Sequence, residues 1–175
     1  MYLHKLKTVV TAAFLVLLAI PAVAQTPFSI GLFGGLGGSM DESDAGLDQT
    51  AVMAKLTVET RPRTDFAIRL GELDIEQLGE ISDATLTYLT LSGDYWAYES
   101  FYESALYLGL GYYEIAGLDG FAEVQESTVG VVLGAAGEFD ITPNLSFQLE
   151  VSVHYSPMEI AQSFVMGHGG LAVHF

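Results

Sequence analysis

The sequence predicts an all-β protein: an eight-stranded antiparallel up-and-down transmembrane β-barrel. Three observations carry that expectation. Half of the 175 residues are hydrophobic, with a mean hydropathy of +0.38, which is high for a water-soluble domain. Beyond the N-terminal region no apolar run reaches the roughly 18 residues of a spanning helix. Apolar residues instead recur at every second position, in segments of about ten. In lipid the backbone must satisfy its own hydrogen bonds, so only helices and closed barrels can span. With helices set aside, the alternation points to a barrel.

Residues 1–24 read as a secretory signal peptide. His4, Lys5 and Lys7 form a basic start, Val9 to Ile20 an apolar core, and Ala22-Val23-Ala24 an A-x-A cleavage site before Gln25. The core is shorter than the about 20 residues of a membrane anchor. The expected mature chain is 25–175, a single barrel domain. Lys5 and Lys7, two of the chain's six basic residues, leave with the leader, while all 22 acidic residues stay.

The strands follow in order. Phe28, Ile30 and Leu32 alternate into the glycine-rich Gly34 to Gly38. Val52, Ala54, Leu56 and Val58 form one face of a second strand, with Lys55, Thr57 and Glu59 on the other. Phe66, Ile68 and Leu70 face away from Asp65, Ala67, Arg69 and Gly71. Ala84 to Leu91 is strand-prone, but either Leu86/Tyr88 or Leu89/Leu91 can face lipid. Leu106, Leu108, Leu110 and Tyr112 oppose Ala105, Tyr107, Gly109, Gly111 and Tyr113. Val129, Val131, Leu133, Ala135 and Phe139 oppose Gly130, Gly134, Ala136 and Glu138. Leu145 to Tyr155 sets Leu, Phe, Val and Tyr against Ser146, Gln148, Glu150, Ser152 and His154. Val165, Leu171, Val173 and Phe175 oppose His168, Gly170, Ala172 and His174. Inward glycines and alanines leave room for Tyr107, Tyr113 and the inward charges. Phe66, Trp96, Phe101, Tyr102, Phe139, Tyr155, Phe164 and Phe175 sit near strand ends and are expected in the interfacial aromatic girdles.

The connections alternate in length, as in an up-and-down membrane barrel. Arg61 to Thr64, a stretch near Trp96 to Ser100, and Asp140 to Asn144 are tight, and are expected on the periplasmic side. Gly38 to Gln49, Glu72 to Asp83, Glu114 to Ser127 and Ser156 to Gln162 read as longer polar loops.

Composition removes several functions. A net charge of −16 argues against nucleic-acid binding, which needs clustered Lys and Arg. The absence of Cys excludes disulfides, thiolate zinc sites, a cysteine nucleophile and a lipidated N-terminal Cys.

The candidate sites lie on the inner face. Lys55, Glu59, Arg69, Glu138 and Glu150 point inward by parity, and burial requires that they pair. They make either a closed ion-pair network or the gate of a narrow ion path. His154 and Ser156 share a strand face, so they could touch as base and nucleophile, and His154-Tyr155-Ser156 resembles the His-x-Ser of outer-membrane lipid A deacylases. They face the lumen rather than lipid, Pro157 stands where that family's pattern has Asn, and His168 stands where it has Glu, so no catalytic residue is assigned. His154, His168 and His174 also face inward. His168 and His174 lie about 20 Å apart along one strand, so those two cannot share one ion. A His154–His168 pair near the loop end is the one alternative. Polar filling is the expected role, and no metal and no cofactor are expected. The acidic residues Asp41, Glu42, Asp44 and Asp48, and Glu72, Asp74, Glu76, Glu80 and Asp83, read as solvated loops, with divalent cations as conceivable bridges to anionic lipid.

The mature chain resembles the small outer-membrane barrel family of the OmpA/OmpX type. Two stretches carry the resemblance most specifically. One is GVVLGAAGEFDITPNLSFQLE, Gly130 to Glu150, a strand, a T-P-N turn and a strand ending on an inward Glu. The other is the last strand, Gly169 to Phe175. In that family an alternating last strand with a terminal Phe is read by the outer-membrane barrel assembly machinery, which implies that role for Leu171, Val173 and Phe175. The resemblance implies a monomer in the outer membrane of a Gram-negative bacterium, in contact with lipid and lipopolysaccharide. Its role would be structural, surface-interacting or that of a narrow, porin-like pore. A counterpart of the family's peptidoglycan-binding domain is not expected. Two other readings remain: a lipid A deacylase-like esterase using His154 and Ser156, and an exported soluble ligand-binding barrel.

Overall fold

In a computed structural model, the described residues are 27–41, 47–61, 63–78, 81–98, 102–120 and 122–175. The expected signal peptide, Glu42, Asp44, Glu80 and Phe101 lie outside them. The described residues form eight strands: β1 (Phe28–Ser39), β2 (Gln49–Arg61), β3 (Thr64–Leu78), β4 (Ile81–Tyr98), β5 (Glu103–Asp119), β6 (Ala122–Thr142), β7 (Leu145–Tyr155) and β8 (Ser163–His174). Each pairs antiparallel with the next, and β8 pairs back onto β1, so the sheet closes without an edge.

The stagger of the barrel can be read from its register. Starting at Glu59, partners run through Asp65, Asp94, Tyr107, Gly134, Ser152, Met166 and Gly37, and return to β2 at Gln49, ten residues away. Ten residues of shear over eight strands incline the strands by about 40° to the axis. Residues several rows apart in register therefore meet at one height in the lumen. That is how Lys55 on β2 reaches Gln148 and Glu150 on β7.

Two expected loops are strand instead. β3 continues to Leu78 and β4 begins at Ile81, while β5 continues to Asp119 and β6 begins at Ala122. Strands β3 to β6 are 15, 18, 17 and 21 residues long, well beyond the about 9–11 needed to cross a bilayer. The alternation does not stop at Glu72; only its outward member changes from apolar to acidic. Leu73, Ile75 and Leu78 remain buried inside. The β5–β6 connection is tight, and Gly120 takes the left-handed conformation there, with φ +61°. The loop from Ser156 to Gln162 between β7 and β8 is present as expected.

The outer face carries an apolar belt of Leu, Val, Ile, Phe and Tyr from all eight strands. Its upper edge is sharp on the long strands. The register row Leu70, Leu89, Tyr112, Val129 is apolar, and the next outward row is Glu72, Thr87, Glu114, Ser127. The two faces of β4 are now resolved: Leu89 and Leu91 are exposed, while Leu86 and Tyr88 are buried. Phe66, Phe139, Tyr155 and Phe175 are on the outside, and Tyr102 stacks on Phe139. Trp96 and Phe164 are not girdle residues. Both are buried inside, because inward parity governs their strands up to the ends.

The lumen has two storeys. At the long-strand end lies an apolar cluster that includes Leu73, Ile75, Leu86, Ile115, Phe164 and Met166, with Met158 and Ala161 of the β7–β8 loop folded into it. Below it, toward the tight turns, the lining becomes polar and charged.

Candidate functional site

The polar storey centres on four charged side chains from four strands. Arg69 donates from Nε to Glu150 Oε2 at 2.9 Å and from Nη2 to Asp94 Oδ2 at 2.7 Å. Its Nη1 also bonds the Ser92 hydroxyl, and its guanidinium lies 3.9 Å from the centroid of the Tyr107 ring. Lys55 Nζ bonds Glu150 Oε1, reaches Gln148 Oε1 at 3.3 Å, and lies 3.9 Å from Asp94. All four charges are buried to within 3% of full enclosure. Two cations face two carboxylates, so the set is formally neutral. Each carboxylate meets both cations, which is what makes burial of this kind tolerable.

Of the five inward charges expected from the sequence, the structure joins Lys55, Arg69 and Glu150. Glu138 belongs to a second group, where it accepts from Gln148 Nε2 at 2.8 Å and pairs with His174 Nε2 at 2.9 Å. Glu59 is outside the charged set and is exposed at the tight-turn mouth, where it lines the same cavity as Glu138 and His174. The carboxylate that balances the network is Asp94, which sequence reasoning missed. It follows Gly93, beyond the strand read as Ala84 to Leu91 and next to the expected turn. Its signal was the continuing alternation Thr90, Ser92, Asp94.

The inward glycines make room as expected at Gly134, where an added Cβ would run into the Tyr107 ring. Tyr107 can therefore lie flat beneath Arg69.

His154 and Ser156 both face the lumen and are buried. His154 Nδ1 bonds the Tyr113 hydroxyl at 3.0 Å, and Nε2 bonds the Ser152 hydroxyl at 2.8 Å. Both ring nitrogens are thus engaged, neither of them by Ser156, whose Oγ has no hydrogen-bond partner. The pair lacks the base-to-nucleophile contact of a hydrolase and faces away from lipid. His168 is buried on β8, and His174 sits at the rim with Glu138 and the Ser146 hydroxyl. Among the described residues no three His, Asp or Glu side chains converge as metal ligands.

Asp41 is more than a solvated loop charge. Its Oδ2 accepts from the backbone N–H groups of Gln162 and Ser163, while Glu126 accepts from those of Glu159 and Ile160. Two carboxylates thus hold the β7–β8 loop down on the apolar storey. Asp48, Asp74, Glu76 and Asp83 are exposed. At the seam Phe175 stacks on Phe28 at 4.9 Å, and Leu171, Val173 and Phe175 all point outward.

No protein-family model and no curated sequence matches the chain. Solved structures do. Neisserial surface protein A superposes with a TM-score of 0.69 at 13% identity, over 86% of this chain and 97% of that one. The N-terminal β-barrel domain of Pseudomonas aeruginosa OprF gives 0.67 at 13% identity, over 86% and 100%. The attachment invasion locus protein Ail of Yersinia pestis gives 0.57 at 16% identity, over 86% and 97%. The chain has the fold of the small eight-stranded outer-membrane barrels.

Proposed function

We propose that this chain is an integral outer-membrane barrel with a closed lumen, serving the envelope as a structural or surface-interacting element rather than as an enzyme. In this reading residues 1–24 are the cleaved export signal of a Gram-negative bacterium. Leu171, Val173 and Phe175 present the last strand to the barrel assembly machinery. The barrel then works as a monomer among lipid and lipopolysaccharide. The observation that carries the reading is the inversion of polarity: charges paired inside, a continuous apolar belt outside. A soluble ligand-binding barrel would need the reverse.

The closed lumen rests on the neutral Lys55–Arg69–Asp94–Glu150 set, stacked beneath the apolar storey. Water and ions would have to cross both. A surface partner, if there is one, meets an acidic rim of Glu72, Asp74, Glu76 and Glu114, so polyanions are poor candidates. Ail, in contrast, has been solved with a heparin analogue.

Fractionation with gel mobility before and after boiling tests the membrane assignment. Recovery in the outer membrane with a heat-dependent shift is expected; recovery in the soluble periplasm without a shift refutes it. Planar-bilayer recording tests the closed lumen: no steady conductance is expected, and a reproducible single-channel step would revive the narrow pore.

A further inference from the structure

The wall of the barrel closes on itself only as far as its ladders run. Strand β6 pairs with β5 without a break from Glu138 to Ala122, but its pairing with β7 ends at Val131 and Tyr155. Gly130 lies tight against the Tyr155 carbonyl, where a Cβ would clash. Beyond it, Ala122 to Val129 have a strand neighbour on one side alone, over eight residues and roughly 27 Å. Alternate residues of a strand turn their N–H and C=O to each side, so this margin presents a row of open backbone groups. The β7–β8 loop does not cover that row with its own backbone. Its backbone hydrogen bonds join Ser156 to Gln162 and Met158 to Ser156, and it reaches β6 through the Glu126 carboxylate. On the margin itself the Thr128 hydroxyl touches the Val129 carbonyl at 3.4 Å.

Open strand edges are ordinarily guarded by proline, by a bulge or by charge. This one has no proline, and the β5–β6 register does not shift along it. No side chain from 122 to 129 is buried. What guards the edge is negative charge. Glu123 shares the outward parity of Val129, and Glu114, across from Ser127, lies on the same outer face. Glu126 flanks the other face, beside Glu159 of the loop. No Lys or Arg follows Arg69 in the sequence, so no cation from residues 70–175 balances them. A second copy would set carboxylate against carboxylate across the new ladder, which destabilises it. A strand with cations at alternate positions would meet the same charges favourably.

We propose that the β6 margin from Ala122 to Val129 accepts an extended basic polypeptide segment as an added strand. Its backbone continues the ladder, and lysines or arginines at every second position meet Glu114 and Glu123. This deepens the surface-interacting role above and rests on that reading: there the long-strand end lies outside the cell, so the segment belongs to an external protein. A failure of binding in a correctly inserted barrel would refute this proposal alone.

The full barrel, in nanodiscs of zwitterionic phospholipid, is titrated with a short peptide of alternating lysine and threonine while amide exchange is followed along the chain. Saturable protection at alternate amides of 122–129 is expected. The same peptide with every second amide N-methylated keeps its charge but loses the donors of one edge, and should leave those amides unprotected. A glutamate–threonine peptide should not bind. Glu114→Lys/Glu123→Lys should weaken binding by about tenfold or more. Asp74→Lys/Glu76→Lys makes the same change of charge on β3 and should have a much smaller effect. Heat-dependent gel mobility verifies that both variants are folded. The proposal is overturned if the basic peptide does not saturate, if the methylated peptide protects equally, or if both variants weaken binding alike. Protection on β3 in place of β6 would overturn it too. So would protection of 122–129 that rises with barrel concentration without peptide, since a second copy would then fill the edge.

Discussion

Arg69 on β3 and Glu150 on β7 meet across the lumen, with Nε and Oε2 2.9 Å apart, although 81 residues separate them in the chain. Glu150 is the hinge of the charged set, because it also receives Lys55. Replacing it with alanine leaves two buried cations sharing Asp94. Removing one partner of a buried ion pair costs about 3–5 kcal/mol. Glu150→Ala should lower the stability of the lipid-embedded barrel by that amount, measured by denaturant unfolding in vesicles. A loss below about 1 kcal/mol would mean that water already solvates the set.

Tyr107 lies flat under Arg69 because Gly134 opposite it has no side chain. A Cβ at that position meets the ring itself. Gly134→Val should displace Tyr107 and loosen the guanidinium, at about 1–3 kcal/mol of overpacking. The equivalent change at Gly93 meets open space on the outer face and should be tolerated. Unfolding midpoints of the two variants, compared side by side, check the contrast.

How far the sequence could be read follows from what alternation does and does not encode. Period two places side chains in or out, so Lys55, Arg69 and Glu150 could be set inside from parity alone. It carries no information on shear, and shear decides which inward residues share a height. Glu59 is a direct register partner of Asp65, yet lies rows away from the plane of Glu150. Parity therefore could not separate Glu59 and Glu138 from the quartet. Charge also misled where it replaced leucine on an outward face. Glu72, Asp74 and Glu76 resemble a loop by composition, while Leu73 and Ile75 between them keep the strand going. Asp94 lies between the strand expected over Ala84 to Leu91 and the turn expected near Trp96 to Ser100, a stretch that β4 in fact spans.

The engaged His154 makes a sharp contrast with its neighbour. Ser156→Ala removes a buried hydroxyl that has no partner, and should be neutral or stabilising within about 1 kcal/mol. His154→Ala strips partners from Tyr113 and Ser152 and leaves a void, at a cost of about 2–4 kcal/mol. Neither should alter lipid A in cells that overproduce the barrel. Loss of an acyl chain with the parent protein but not with Ser156→Ala would restore the esterase.

The β7–β8 loop owes its closed position to carboxylates rather than to length. Gln162 and Ser163 donate to Asp41, and Glu159 and Ile160 to Glu126. Asp41→Ala/Glu126→Ala should leave global unfolding nearly unchanged while releasing Met158 and Ala161 from the apolar storey. Hydrogen exchange reads this locally: amides of 159–163 should exchange much faster, with the strand amides beyond Ser163 unaffected. Uniform acceleration along β7 and β8 would show instead that the loop is integral to the barrel's cooperative unit.

The outer belt makes a depth-dependent prediction. Leu110 is on its outward face, 64% exposed, between Leu108 and Tyr112. A lysine at that position would face hydrocarbon, and charged residues at the midplane of a barrel cost about 2–4 kcal/mol. Asp74 is outward too, but it lies two rows above the last apolar row, Leu70–Leu89–Tyr112–Val129. Asp74→Lys should therefore change stability by less than about 1 kcal/mol. Folding into vesicles, followed by the gel shift and by denaturant titration, separates the two. If Leu110→Lys were as harmless as Asp74→Lys, the belt would not be meeting lipid. The apolar exterior would then need a protein partner to cover it, and the membrane assignment would fall with it.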